Sequence, residues 1–319
     1  MTYENCKLYN LKSKKMLKYL LKIGNSRMFN QAYVASSIEP YIDSSGKPRI
    51  IEPPSYELKR VQSRVKKLLY EIEVDSNVFS GIKGRSYAQN ARMHKGNNYA
   101  YKIDLKAFFP SISRGKVYDF FKEEMKTAPD IAEFLTNVTT IDIDLSASKN
   151  MDEVDKFLEA KKVKTRNHLI SGSPASSILS YLVNQKMFDE MQNLTTKNHI
   201  IMTIYIDDIV FSSPNKISNN FKYAIHAIIK KYGYRLSKVK IKGYSKNYPK
   251  LITGAIIDKN GGLKVKNSLR QKIITTFKES LENPDDMTIK SRLRGLVTAS
   301  RQIESNAYPA IREYAFRKQ

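Results

Sequence analysis

Apolar residues in this chain recur at two spacings, and the switches between them mark out its elements. In 55–72, SYELKRVQSRVKKLLYEI, the residues Leu58, Val61, Val65, Leu68, Leu69 and Ile72 fall at helical spacing. Lys59, Arg60, Arg64, Lys66 and Lys67 fill the remainder, so the pattern predicts a helix with a core stripe and a basic face turned to solvent or phosphate. Residues 11–23, LKSKKMLKYLLKI, read as a shorter basic amphipathic helix, and 39–55 as a β-hairpin turning at DSSGK. Strand alternation follows at 99–105, YAYKIDL. The segment 113–165 is mostly charged and predicted helical. A helix is expected from Ser173, as N-cap, through SPASSILSYLVNQKMFDEM, with Pro174 in its first turn. Apolar strands are then expected around 203–211, a helix near 217–232, strands at YRLSKVKIK and LITGAII, and helices from Leu269 onward.

The chemistry concentrates where the apolar pattern is interrupted. TIYIDDIVF (203–211) sets Asp207 and Asp208 side by side at the expected tip of a hairpin between buried strands. Two carboxylates about 4 Å apart repel by roughly 4 kcal/mol at an effective dielectric of about 20, so a half-buried pair calls for a cation. For all-oxygen ligands that cation is Mg²⁺, which takes one or two carboxylates plus substrate phosphates. Neighbouring strand residues face opposite ways, so a third carboxylate must come from another strand, and Asp104 in YKIDLKAFF suits. The bland alternative is a polar turn. It suffices for NPDD (283–286), with Asp285 and Asp286 in a helical first turn, and for IDID (141–144), an alternating edge strand.

Composition narrows the field. The 319 residues carry 55 Lys+Arg against 31 Asp+Glu, a net charge of +24, which favours a polyanionic partner such as nucleic acid. Cys6 is the only cysteine, which excludes internal disulfides and cysteine-based zinc sites, and four histidines argue against a histidine-rich metal site. An apolar fraction of 41% supports real cores, and the length suggests about two domains. No membrane span or signal segment is read, so a cytoplasmic, membrane-free protein is expected.

Taken in order, the motifs resemble those of reverse transcriptases. IDLKAFFPSI (103–112) is similar to their first palm motif, SGSPASSILSYLVN (171–184) to their Gly-X-Pro motif, YIDD to the catalytic hairpin and GYRLSKVKI (233–241) to the later palm motif ending in lysine. NARMH (90–94), ITG (252–254) and SRLRGLVTASRQIE (291–304) resemble elements of bacterial retron reverse transcriptases. The resemblance implies an α+β right-hand polymerase. Its expected regions are a basic N-terminal extension over 1–30, fingers over 31–98, a palm on a small antiparallel sheet over 99–262, and a helical thumb over 263–319.

It further implies template-directed DNA synthesis with two Mg²⁺ ions, Mn²⁺ being a substitute, held by Asp104, Asp207, Asp208 and the Leu105 carbonyl. Phe109 is expected beneath the incoming sugar, with Lys47, Arg49, Ser171, Gly172 and Lys240 around the nucleotide. Lys240 could equally be a solvated strand lysine. Asn90, His94, Thr253 and Gly254 are expected near the RNA, His94 in a positioning or structural role. The implied partners are dNTPs, a cognate retron non-coding RNA primed at an internal guanosine 2′-OH, its branched DNA product (msDNA), and an effector or toxin protein in antiviral defence. Departures are Ile170-Ser171-Gly172 where the family has Pro-Gln-Gly, Ile206 where it has Ala, and a longer 113–165 segment. Two other readings stay open: an intron-like or defence-associated reverse transcriptase, and a non-catalytic RNA-binding protein on a polymerase fold.

Overall fold

The computed structural model describes residues 2–146 and 148–317. Met1, Ala147, Lys318 and Gln319 lie outside the described residues, and with them the extremities of the expected N-terminal and thumb regions and one residue of the 113–165 segment. Helix Tyr56–Leu69 forms as its periodicity predicts, with the Ser55 hydroxyl capping Leu58 N–H and Leu58, Val65 and Leu69 fully buried. Each such side chain stabilises by about 1.5–3 kcal/mol relative to exposure. An earlier helix, Lys14–Leu21, buries Leu17, Leu20 and Leu21 in the same core, so its apolar face is spent on packing. Between these helices lies the expected hairpin, β1 (Tyr41–Asp43) with β2 (Arg49–Ile51).

The central sheet is antiparallel and four-stranded, in the order β6-β7-β3-β8. Its strands are β3 (Tyr99–Asp104), β6 (Ile201–Tyr205), β7 (Asp208–Ser213) and β8 (Lys242–Tyr244). A two-stranded sheet pairs β4 (Thr140–Asp142) with β5 (Asn167–Leu169). A three-stranded sheet joins β9 (Lys250–Ile252), β10 (Ala255–Ile257) and β11 (Leu263–Val265). β9 and β10 lie before the expected palm–thumb boundary and β11 just after it, so this sheet straddles that boundary. Beyond it run helices Asn267–Glu282, Met287–Ile303 and Pro309–Phe316, packed around Ile273, Leu293, Val297 and Ala315. Among the described residues no helix is long and apolar enough to cross a membrane.

Several local expectations are corrected. Ser173 does not cap a helix: its hydroxyl accepts from Ala175 N–H in a preceding turn, and the helix starts at Ser176. The expected single helix is two, Ser176–Leu182 and Gln185–Lys197, broken where the Asn184 side chain donates to Ser180 O and accepts from Tyr234 OH. The stretch YRLSKVKIK is not a continuous strand; Leu236 bridges Leu105, Lys238–Lys240 is a 3-10 turn, and pairing resumes only at β8. In NPDD, Asp286 is itself the N-cap, accepting from Thr288 and Ile289 N–H, one position before the expected first turn. IDID is half strand and half 3-10 turn, because the Asp142 side chain captures Asp144 N–H.

Candidate active site

Asp104 ends β3 and Asp208 begins β7, and the register sets them directly opposite each other. Paired residues project from the same sheet face, so two carboxylates from distant sequence stand side by side. Asp207 occupies the second turn position between β6 and β7, its carbonyl accepting from Leu105 N–H at 2.9 Å. The first turn position is Ile206, with φ 60°. Glycine normally takes such a position, and a β-branched residue there is strained by about 1–3 kcal/mol. The exchange of Ala for Ile is therefore a backbone matter as well as a packing one.

Lysines hold two of the three carboxylates. Lys240 Nζ donates to Asp104 Oδ2 at 2.6 Å, and Lys102 Nζ to Asp208 Oδ2 at 2.5 Å. Among the described residues no lysine or arginine pairs with Asp207. Burial, and then the charge of Asp104, push the Asp207 carboxyl up to about 7. Burial also raises Asp104 against the pull of Lys240. Lys240 is raised in turn, since its bond to Asp104 and the field of the other two aspartates outweigh its own burial.

This donor set suits a hard divalent cation: carboxylate oxygens only, one of them lacking a counter-charge. Among the described residues no three His, Cys, Asp or Glu side chains are already drawn together around a metal-sized gap. Here the lysine ammoniums hold Asp104 and Asp208 in place. The Leu105 carbonyl accepts no hydrogen bond among the described residues, which leaves it open as a further oxygen donor.

A cavity of about 650 Å³ opens over this corner. Lys47, Arg49, Asp104, Leu105, Phe109, Ser171, Asp207 and Lys240, all singled out from sequence, line it together. Both adjacent phenylalanines border the cavity: Phe108 is buried against Tyr234, and Phe109, half-buried, stacks on Phe108. Arg49 is partly occupied, its Nε donating to Asp43 at 3.0 Å; Ser45 and Arg49 together hold the Asp43 carboxyl down at about 2. The Ser171 hydroxyl donates to Ile50 O, and Gly172 is not on the cavity wall. Gly172 is there for close approach, because a Cβ would lie 2.3 Å from Glu52 O.

Three features escaped the sequence reading. Lys102 lies two residues before Asp104, hence on the same sheet face, a signal that strand alternation carried. Lys161, the last residue of helix Met151–Lys161, lines the cavity from within the long 113–165 segment, and no sequence pattern marks it. Glu52 and His168 form a fully buried pair at 2.7 Å, and Glu52 also accepts from Ser171 N–H, locking the hairpin's exit to the 168–172 loop.

The expected RNA-facing residues divide. Asn90 and His94 are fully buried and cannot touch RNA directly. His94 Nδ1 lies 2.7 Å from Ser212 Oγ and Nε2 2.7 Å from Thr203 Oγ1, so it bolts β6 to β7 on the sheet face that Asp208 shares, farther from the hairpin tip. Burial drops its pKa to about 3 and keeps it neutral. Asn90 Nδ2 reaches Thr253 Oγ1 instead of solvent. Thr253 and Gly254 form the half-exposed β9–β10 turn, with φ 43° and 89°. From the same short helix, Tyr87–Arg92, Tyr87 donates to Ala299 O and Arg92 to Gln302 O.

A family model described as reverse transcriptase (RNA-dependent DNA polymerase) matches residues 36–272. Among curated proteins the chain is similar to the Retron Se72 reverse transcriptase of Salmonella heidelberg (strain 579083-10), 25% identical over 202 residues, or 61% of this chain and 46% of that protein. It is similar to the Retron Ec83 reverse transcriptase of Escherichia coli, 24% identical over 266 residues, 80% of this chain and 79% of that protein. The match thus spans less than half of the Salmonella relative's length. Among solved structures, apo telomerase from Candida tropicalis, truncated from its C-terminal domain, aligns with a TM-score of 0.51 at 13% identity. That alignment covers 73% of this chain and 55% of the other, and the likeness is one of fold. These relatives bear out the retron resemblance carried by NARMH and ITG.

Proposed function

Since this chain belongs to the reverse transcriptase (RNA-dependent DNA polymerase) family, we propose that it copies RNA into DNA at the Asp104–Asp207–Asp208 corner. The observation that carries this is the register of β3 on β7. It sets Asp104 opposite Asp208, next to Asp207, and Asp104 and Asp207 line a cavity whose wall also carries Lys47, Arg49, Lys106, Lys161 and Lys240, together with apolar residues and the half-buried Phe109. The family works with divalent metal ions, and Asp104, Asp207, Asp208 and the Leu105 carbonyl would hold them here. Held there, such ions would supply activation of the attacking hydroxyl and charge neutralisation at the departing pyrophosphate. Phe109 supplies the flat wall beneath the incoming sugar, where a 2′-hydroxyl would clash, selecting dNTPs. Lys47 and Arg49 hold the triphosphate from the β1–β2 hairpin. Lys240 carries a proton on the cavity wall, where it can be passed to pyrophosphate.

In this reading 31–98 serve as fingers, 99–262 as palm and 263–319 as thumb, with 1–30 a basic extension. The finer assignment is retron-type synthesis in the bacterial cytoplasm. The enzyme starts from an internal guanosine 2′-OH of a structured non-coding RNA, makes branched RNA-linked DNA, and serves antiviral defence with an effector protein. The retron relatives support it. The test is dNTP incorporation on a primed RNA template with Mg²⁺, together with sequencing of nucleic acid that co-purifies with the protein. Synthesis lost in the Asp207→Asn, Asp208→Asn double variant supports the site, and synthesis that survives refutes it. A co-purifying 2′-branched RNA–DNA species supports the retron assignment; unbranched DNA made from any primed template overturns it.

A further inference from the structure

Helices Lys14–Leu21 and Tyr56–Leu69 pack against each other in the main core, tied by Arg64, whose Nε and NH2 both donate to Leu20 O. An open groove of about 570 Å³ runs along them, lined by Lys22, Lys59, Arg60, Arg64 and Lys67. An adjoining depression shares Lys22 and Arg64 and adds Lys18 and the exposed Tyr19. Among the described residues no carboxylate forms an ion pair with any of these six cations. The one acid on the groove wall, Glu57, is turned to other work, accepting from Tyr33 OH and Asn25 Nδ2. Tyr56 is 79% exposed at the rim, with the Arg60 guanidinium 6.0 Å from its ring. Six cations without a carboxylate partner crowd these two adjoining hollows and repel one another; the Arg64 bonds to Leu20 O and the contacts of Lys18 with Phe29 and Arg60 with Tyr56 offset only part of that cost.

We propose that this groove is a second nucleic-acid site, taking the phosphate backbone of a structured RNA, with Tyr19 and Tyr56 stacking on unpaired bases at its edges. It shares no lining residue with the cavity over Asp104 and Asp207, so it is separate from the site of synthesis. Cationic side chains spread along a concave path suit a sugar–phosphate backbone, and exposed aromatic rings suit splayed bases. An anionic membrane is the lesser fit. Insertion needs an apolar helix face, and Leu17, Leu20 and Leu21 are already buried in the core. The identity of the polyanion rests on the family reading; the existence of an anion-binding groove does not.

The experiment compares the full chain with a Lys18→Ala, Lys59→Ala, Arg60→Ala, Lys67→Ala variant and with Tyr56→Ala, all surface changes that leave Arg64 in place. The probe is a labelled stem-loop RNA with single-stranded flanks, titrated at several salt concentrations. Extension of a primed RNA template and thermal unfolding are followed in parallel. The quadruple variant should bind the stem-loop at least about tenfold more weakly. The slope of log affinity against log salt should be shallower by about 0.7–0.9 for each phosphate that is no longer neutralised, with unfolding and primed extension unchanged. Tyr56→Ala should weaken binding only when the flanks are present. Unchanged affinity and slope would overturn the proposal. So would loss of binding to phosphatidylserine vesicles with RNA binding intact, or a matching loss of primed extension, which would merge the groove with the template path. An unmodified protein that binds the stem-loop but never extends a primer sinks the polymerase reading and leaves the groove standing.

Discussion

Asn90 donates to Thr253 across 163 residues of sequence at 2.7 Å, so NARMH and ITG, two of the three stretches that resemble retron elements, meet in one contact. The Asn90 Oδ1 atom is buried without a partner, which makes this bond the side chain's whole compensation. Asn90→Ala should cost about 1–3 kcal/mol in denaturant unfolding, and Thr253→Val about 1 kcal/mol. In a double-mutant cycle their coupling should be about 1 kcal/mol. Strict additivity would show that the bond contributes nothing.

Asp207 should make the metal-free protein pH-sensitive. Its folded pKa, about 7, exceeds the ordinary carboxylate value, so the folded state binds the extra proton. Stability therefore falls as pH rises from about 4 through 7, and a divalent cation, which competes with that proton, should restore it. The Mg²⁺-induced rise in Tm should grow with pH up to about 7 and then level off. Asp207→Asn should flatten both trends. Asp208→Asn should instead destabilise by about 1–3 kcal/mol by leaving the half-buried Lys102 without its partner.

His94 should give the opposite slope. Its folded pKa is about 3, against 6.5 unfolded, so the unfolded chain takes up the proton. The stability it protects is complete above about pH 6.5 and is lost as pH falls toward 3, a few kcal/mol over the whole window. Equilibrium unfolding of His94→Gln should be weaker at neutral pH but should lack this acid-side slope.

The strained turn can be isolated by comparing two variants. Ile206→Ala removes packing and keeps a β-carbon at φ 60°, whereas Ile206→Gly removes both. The glycine variant should be the more stable of the two by about 1 kcal/mol despite its greater unfolded-state freedom. Equal stabilities, or the reverse order, would mean the turn stores no strain.

Lys161 and Lys47 face the cavity without ion pairs among the described residues, while Arg49 is shared with Asp43. Lys161→Ala and Lys47→Ala should each raise KM for dNTPs by roughly 3–30-fold with little change in kcat, and Arg49→Ala by less. An equal effect on kcat alone would assign Lys161 a different task.

What could be read beforehand was whatever a local pattern encodes. The stripe of Leu58, Val61 and Val65 is a helix, and the alternation before Asp104 is a strand. The paired aspartates stand at a turn because apolar strands flank them. Sequence failed where a side chain competed for the backbone. Asn184 split a helix that periodicity joined, and Asp142 ended a strand that alternation continued. It also failed where meaning depended on burial: His94 is a polar residue in a motif, and only the packed sheet shows that it faces inward. Lys161 reaches the cavity through the placement of a whole helix, which no spacing records.

The short helix Tyr87–Arg92 has a mechanical consequence. It grips the carbonyls of Ala299 and Gln302, near one end of helix Met287–Ile303, while the opposite end meets an exposed loop at 283–286. The C-terminal helices are therefore a lever with a fixed fulcrum beside the sheet and an unloaded tip. A load that displaced that tip would act on Tyr87 and Arg92, in a helix that Asn90 also ties to the Thr253 turn and that leads into His94, the side chain joining β6 to β7.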